Sequence, residues 1–188
     1  MRRDLSECSD AELKAFALGG NEGAYRTFLI RYKAPVYRLI RSNIGDSDEA
    51  LDLTQEAFVS AFAALKSYDP ERPFQSWIAR IAVNKCRDWA RRRAVRSFFT
   101  RAAPLDDGLA FAADQPLPDA QAFDRAELAR VEQAMRRLPH RLREVLVLRA
   151  VEGLSQAESA DVLGVSEKAV ETRLYRARKQ LQDILHGI

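Results

Sequence analysis

Residues Leu154–Leu181, LSQAESADVLGVSEKAVETRLYRARKQL, constrain the fold more than any other stretch of this 188-residue chain. They read as two short helices joined by a tight turn, the second carrying five basic residues. Ser155 is placed to cap the first helix, and Glu158, three positions on, completes a capping box. Ala157, Ala160, Val162 and Leu163 are expected to be its buried residues, Ala160 being small where a second helix must approach closely. Gly164 supplies the positive φ that ends a helix, and Ser166 caps the next one. In that helix Val170, Leu174, Ala177 and Leu181 recur at helical spacing and form one apolar face. Lys168, Thr172, Tyr175, Arg176 and Lys179 lie roughly opposite. Such an outward face can donate to base edges near the helix N-terminus and to phosphates further along. A solvated amphipathic helix would look the same in isolation. The preceding helix, the glycine turn and both caps favour a helix-turn-helix that enters the DNA major groove.

The net charge is only +3, so the distribution of charge says more than its sum. Residues 80–101 hold eight basic side chains (Arg80, Lys85, Arg87, Arg91, Arg92, Arg93, Arg96, Arg101) against one acid, Asp88. Residues 102–124 hold five acids and no base, and so do residues 45–58. Blocks of this kind imply surfaces with different partners. Two cysteines, Cys8 and Cys86, are too few for a disulfide framework. Cys86 reads as a small apolar residue in a helix rather than a redox group. The first ten residues are charged and polar, and no apolar run approaches the ~18 residues of a membrane span, so a cytoplasmic chain without membrane insertion is expected.

The rest of the chain reads as helix. Asp10–Leu18 is a first helix ended by Gly19 and Gly20, and Asn21–Ser42 a long amphipathic one. Its inward side comprises Tyr25, Phe28, Leu29, Tyr32, Val36, Leu39 and Ile40, and Pro35 is a place for a kink. Ser47–Leu65 is a third, with Leu51, Phe58, Phe62 and Leu65 facing inward. A loop with two prolines follows, and Gln75–Arg93 is a fourth helix. Residues 97–123 contain prolines and glycine without periodicity and read as a flexible linker, in which Leu105, Leu109, Phe111 and Leu117 could dock into a groove. A second helical domain follows from Asp124, with Pro139 starting a helix whose Leu142, Val145, Leu146 and Leu148 build its core. The expected fold is all-α, with two small helical domains, 1–96 and 124–188.

The fourth helix carries a second nucleic-acid signal. Arg80, Asn84, Arg87 and Arg91 recur at i, i+4, i+7 and i+11 and align on one face. Trp77, Ile78, Ile81, Ala82 and Trp89 form an apolar side, and core packing is the favoured reading of both tryptophans. Upstream, Tyr68 and Phe74 flank the proline loop, where a rigid loop beside a basic helix could hold an unstacked base.

Together these features resemble the extracytoplasmic-function (ECF) sigma factors of the sigma-70 class. The likeness covers about Tyr25–Arg93 and Glu127–Leu181. DLTQEAFVSAF (Asp52–Phe62) resembles region 2.2, which docks on the β′ clamp helices of RNA polymerase. FQSWIARIAVNKCRDWARRR (Phe74–Arg93) resembles regions 2.3 and 2.4, which melt and read the −10 element. LPHRLREVLVLRAVEGLSQAESADVLGVSEKAVETRLYRARKQL resembles region 4, which reads the −35 element and contacts the β flap. The resemblance implies that Asp52, Gln55 and Glu56 face core polymerase. It implies that Asn84, Ile81 and Tyr68 form a pocket for a flipped base, with Arg80, Arg87 and Arg91 on the backbone. It assigns −35 reading to Lys168, Glu171, Thr172, Arg173, Tyr175, Arg176 and Lys179. Glu171 stands where some relatives carry a base. An acid there accepts from cytosine N4 or orders a neighbouring Arg. The linker resembles region 3.2, its Asp106 and Asp107 mimicking nucleic-acid charge. Control by an anti-sigma factor is also implied.

Covalent chemistry is not expected. The two histidines, His140 and His186, are far apart in sequence, no Cys/His cluster has metal spacing, and no phosphate-cradling glycine loop is present, so no metal or cofactor is anticipated. The alternative is a helical one-component regulator with residues 1–96 as a sensor or dimerisation domain. The basic row on the fourth helix argues against it.

Overall fold

The computed structural model describes residues 4–100 and 119–187; the side chains of 97–100 and 119–125 lie outside that description. Among the described residues there is no strand. The described residues form eight α-helices, in order: α1 (Asp10–Leu18), α2 (Glu22–Ile44), α3 (Ser47–Ala63), α4 (Phe74–Thr100), α5 (Asp119–Arg137), α6 (His140–Leu146), α7 (Gln156–Leu163) and α8 (Glu167–His186).

Local chemistry fixes most of the ends. Ser9 and Glu12 form a capping box at the start of α1. Asn21 accepts from the Gly23 amide to cap α2, and Asp46 accepts from the amides of Asp48 and Glu49 to cap α3. Gly45, at φ 84°, ends α2 in the left-handed region that a side chain would strain. Helix α2 runs through Pro35 and ends at Ile44, two residues beyond the expected Ser42.

Helices α2, α3 and α4 pack on one another, with α1 against α2. The α3 stripe differs from expectation. Leu51 is exposed, and the buried residues are Ala50, Leu53, Thr54, Ala57, Phe58 and Ala61. Alanines form much of this inward row because α3 lies close to its neighbours, and small side chains carry little weight in a periodicity read from bulky ones. Leu65 is buried as expected, but in a short 3-10 turn beyond the helix.

Helix takes up both ends of the expected linker, since α4 continues to Thr100 and α5 begins at Asp119. Leu105, Asp106, Asp107, Leu109, Phe111 and Leu117 lie outside the described residues. In the second half α6 and α7 pack on α8, and α5 lies along it. Leu138, Leu146 and Ala177 are buried together there, with Leu142, Leu174 and Leu181 packed against them.

The two halves are not separate bodies. Val145, Leu148, Leu154, Val162 and Leu163 belong to the same buried cluster as Leu39, Ile78 and Val83. Helix α7 packs on α4, and α5 touches α2.

Candidate nucleic-acid interface

The helix-turn-helix forms as its residues dictate. The Glu158 amide donates to Ser155 Oγ at 3.2 Å, and the Ser155 amide donates to Glu158 Oε2 at 2.7 Å. Gly164 sits at φ 67° between α7 and α8. The Ala169 amide donates to Ser166 Oγ at 3.2 Å. One expected core residue is misplaced: Ala157 is exposed, and Ser159 takes the buried position beside Ala160, Val162 and Leu163. Those four recur at i, i+1, i+3 and i+4, a narrow stripe that leaves Ala157 on the opposite side.

On α8, Val170 and Ala177 are fully buried, with Leu174 and Leu181 half-buried. Lys168, Glu171, Thr172, Tyr175, Arg176 and Lys179 are exposed, Tyr175 at 70%. Arg173 is half-buried. Glu171 pairs with Lys168 Nζ at 2.9 Å, one turn back, rather than with an arginine. The Thr172 hydroxyl donates to the Lys168 carbonyl at 2.9 Å.

The α4 row is less free. Arg80 and Asn84 are exposed. Arg87 donates through Nε (2.6 Å) and Nη2 (2.9 Å) to both carboxylate oxygens of Glu144 on α6, and more weakly to Asn84 Oδ1 at 3.5 Å. Arg91 pairs with Asp88. Ile81 is half-buried.

Tyr68 and Phe74 are core residues rather than exposed stacking platforms. Tyr68 is 2% exposed and Phe74 is wholly buried. The Phe74 ring stacks on Phe28 at 4.3 Å and meets Tyr68 edge-on at 5.1 Å. The Tyr68 hydroxyl donates to the Arg72 carbonyl at 2.7 Å, and Lys14 Nζ donates to the Tyr68 carbonyl, so the proline loop is tied at both ends. Burial pushes the Tyr68 phenol up to about 12, which keeps it a neutral donor. A cavity of about 380 Å³ lies against this loop, between Tyr68, Trp77 and Arg80 on one side and Glu158, Asp161 and Val162 on the other. Trp89 is buried and donates through Nε1 to Glu49 at 3.0 Å, and Trp77 is half-buried.

On α3, Asp52, Gln55 and Glu56 are exposed, Glu56 pairing with Lys85 at 3.3 Å. Gln55 and Leu51 border an apolar groove of about 730 Å³ shared with Leu29, Ile30, Tyr37 and Phe58. Cys8 and Cys86 are buried free thiols. Burial, helped by the nearby Glu144 charge, pushes Cys86 up to about 12, so it carries almost no thiolate at neutral pH and is a poor nucleophile.

Sequence reasoning missed the acids that join the halves. Glu144 is 1% exposed and accepts from Arg87, with His140 Nδ1 at 3.2 Å. Glu152 accepts twice from Arg38 at 3.0 and 3.1 Å. Asp161 pairs with Arg72 at 2.9 Å. The signal for Glu144 was present: it lies one turn before Leu148, on an inward position where a charge needs a partner.

Two helical halves, one a helix-turn-helix and the other a bundle with a row of cations, make this an all-α regulator of the kind that acts on nucleic acid. Residues 28–96 match the model of sigma-70 region 2, and residues 128–181 that of sigma-70 region 4. The RNA polymerase sigma factor CnrH of Cupriavidus metallidurans is 41% identical over 182 residues, covering 95% of each chain. The ECF RNA polymerase sigma factor SigW of Bacillus subtilis is 32% identical over 174 residues, 88% of this chain and 92% of that one. A solved structure of CnrH in complex with the cytosolic domain of CnrY matches with a TM-score of 0.70 at 35% identity, over 96% of this chain and 99% of that chain. The RpoE–NepR co-crystal structure from Bartonella quintana shares the fold, with a TM-score of 0.69 at 21% identity over 86% of this chain and 96% of that one. The chain belongs to the ECF sigma factors of the sigma-70 family. That membership replaces the one-component-regulator alternative, because the first half is a region 2 domain rather than a sensor. Among the described residues no helix is long and apolar enough to cross a membrane.

Proposed function

We propose that this sigma factor divides promoter reading between α8 and α4 and binds core RNA polymerase chiefly through α3. The observation that carries the reading is the exposed polar face of α8, with Lys168, Thr172, Tyr175, Arg176 and Lys179 set opposite a buried Val170–Ala177 seam. Lys168, Glu171, Thr172, Arg173, Tyr175 and Arg176 read the −35 duplex, and Lys179 holds a phosphate further along. Asn84, Ile81 and the edge of Tyr68 receive a base flipped from the −10 strand, with Arg80, Arg87 and Arg91 on its backbone. Asp52, Gln55 and Glu56 meet the polymerase β′ clamp helices, and the apolar groove beside Gln55 supports a docking role for this face. The region 4 half also contacts the β flap.

Each half alone makes few phosphate contacts, so promoter binding by the free protein is weak and salt-sensitive. Polymerase fixes the spacing of the halves and makes the second contact intramolecular. The chain works in the cytoplasm, performs no covalent chemistry of its own, and is held in check by an anti-sigma factor. The solved CnrH structure, which contains the cytosolic domain of CnrY, supports that last point. Boundaries of 1–96, 97–123 and 124–188 describe the two readers and the segment between them.

Reconstituted transcription tests the reading. Promoter-specific transcripts are expected only when the chain and core polymerase are combined. Asn84→Ala is expected to slow open-complex formation at least tenfold while core binding stays within twofold. Normal promoter melting by this variant would remove Asn84 from the base pocket.

A further inference from the structure

Helix α1 precedes the residues that match the region 2 model, yet its side chains reach both flanks of the proline loop. Leu13 and Ala17, on one side of α1, are buried in the same cluster as Phe28, Leu65 and Phe74. The helix also packs against the short turn Leu65–Ser67 that leads into the loop. Lys14 is half-buried there. Its ammonium donates to the Tyr68 carbonyl and lies 5.8 Å from the centre of the Tyr68 ring. On the far flank, Asp10 accepts from Arg31 at 2.7 Å and from the Tyr32 hydroxyl at 2.5 Å. The Tyr32 ring in turn lies 4.8 Å from Phe74, the first residue of α4.

Between these two anchors the loop is closed on itself. The Tyr68 hydroxyl donates to the Arg72 carbonyl at 2.7 Å. The Arg72 amide donates to the Asp69 carbonyl and the Glu71 amide to Asp69 Oδ1, both at 3.1 Å. Residues 68–72 therefore move as a unit, and the bond from Lys14 decides how that unit sits. Lys14 does not itself line the cavity beside Tyr68, Trp77 and Arg80, so it acts on that cavity only through Tyr68. A hydrogen bond from an ammonium is stronger than one between neutral groups, and removing it leaves a carbonyl in need of a donor. A loop already held in its binding conformation also loses less freedom when a ligand arrives.

We propose that α1 is part of the −10 reader: Lys14 is a positioning residue that holds loop 68–72 at the base pocket through the Tyr68 carbonyl, and Asp10 sets the far flank through Tyr32 and Phe74. This rests on the reading of Tyr68, Ile81 and Asn84 as that pocket. The brace acts on the captured base alone, and it leaves the core-binding face of α3 and the −35 face of α8 untouched.

The test uses holoenzyme assembled from core polymerase and the full chain. The probe is a fluorescent single strand with the non-template −10 sequence of a promoter that the parent holoenzyme transcribes. A matched set of strands lacks one base at each −10 position in turn. Lys14→Met keeps the stem and removes the ammonium, whereas Lys14→Arg keeps a charged donor. Lys14→Met is expected to bind the intact strand about tenfold more weakly, the loss of one charge-assisted hydrogen bond. It should bind the strand lacking the captured base as the parent does, and core affinity should be unchanged. Lys14→Arg should recover most of the loss. Parent-like affinity of Lys14→Met for the intact strand would overturn the brace. An equal loss on the intact and the base-free strand would also overturn it, since Lys14 would then serve only the fold. Should Lys14→Met fail to fold, Tyr32→Phe keeps the ring and removes only the bond to Asp10. It is expected to lose intact-strand affinity several-fold with the base-free strand unaffected, and parent-like affinity for the intact strand would again overturn the brace. The pocket is judged separately, on the parent alone: if no missing base weakens its binding, the pocket falls and takes the brace with it.

Discussion

Helices α4 and α8 are both basic and both carry exposed cations, yet α4 has one, Arg87, that a buried acid already holds. On α8 the outward arginines and lysines face solvent, and the ion pair on that face is a local one, Lys168 with Glu171. On α4 Arg87 is held by an acid from the other half of the chain, and Arg91 by Asp88 one turn away. A basic stripe in a sequence therefore has two physical meanings. It can be a surface ready for an anion, or one already occupied by a carboxylate.

The largest expected effect asks whether that occupation is structural. Leu148 is fully buried in the core common to both halves. Leu148→Ala should destabilise the fold by about 2–5 kcal/mol, through lost burial and the cavity left behind. Both tryptophans, Trp77 and Trp89, lie on α4 in the first half. If the halves form one cooperative body, urea unfolding followed by tryptophan fluorescence and by far-UV circular dichroism should shift together. Fluorescence that keeps its parent midpoint while the helical signal splits in two would separate the halves, and with them the contrast between α4 and α8.

Acid offers a milder way to release α4. Burial alone would raise the Glu144 carboxyl, but hydrogen bonds and charge from His140 and Arg87 outweigh it and hold the group below its ordinary value of 4.5. The folded chain thus binds this proton more weakly than the unfolded chain. The contribution is fully present above the ordinary value and is lost as pH falls through the lowered one. Glu152 behaves oppositely. Its burial outweighs Arg38 and raises the carboxyl, so the folded chain takes this proton up first, and this group favours folding less as pH rises through the raised value. The closed arrangement should therefore survive the titration of Glu152 and loosen only below 4.5, the ordinary value of Glu144. Interdomain energy transfer followed from neutral pH downward measures this. A fall complete before that value would remove Glu144 as the group that holds the halves closed.

The uneven legibility of the two helices in the sequence has the same origin. Caps, glycine turns and periodicity act over three or four residues, so the Ser155–Glu158 box, the Gly164 turn and the α8 face could be read directly. What the fourth helix does with its cations depends on Glu144, 57 residues away from Arg87, and no local pattern encodes such a pairing. Tyr68 shows the same limit. Its place beside a proline loop suggested an exposed ring, but the α2 aromatics Phe28 and Tyr32 surround Phe74 and draw this cluster into the core. Leu51 and Ala157 lie at the surface for a simpler reason: much of any protein surface is apolar, so an apolar side chain on a helix does not by itself mark the inward face.

The smallest expected effect lies at Glu171, and it separates stability from recognition. Its carboxylate and the Lys168 ammonium are 57% and 81% exposed, so their 2.9 Å contact is screened by water and salt. Glu171→Gln should change the unfolding free energy by less than about 0.5 kcal/mol, against the far larger cost of disturbing the buried core at Leu148. Removing the charge also frees Lys168 and takes one anion from the face that meets DNA. Holoenzyme binding to a −35 duplex should tighten slightly at low salt, and the salt dependence should steepen as one more cation reaches the backbone. A base contact would behave differently. If Glu171 accepts from a cytosine N4, Gln retains an acceptor but loses the charge that strengthens the bond, and affinity should fall for duplexes with that cytosine while others are unaffected. Comparing the four base pairs at each −35 position distinguishes the two: a uniform gain makes Glu171 a local brake on Lys168, and a loss confined to one base makes it a reader.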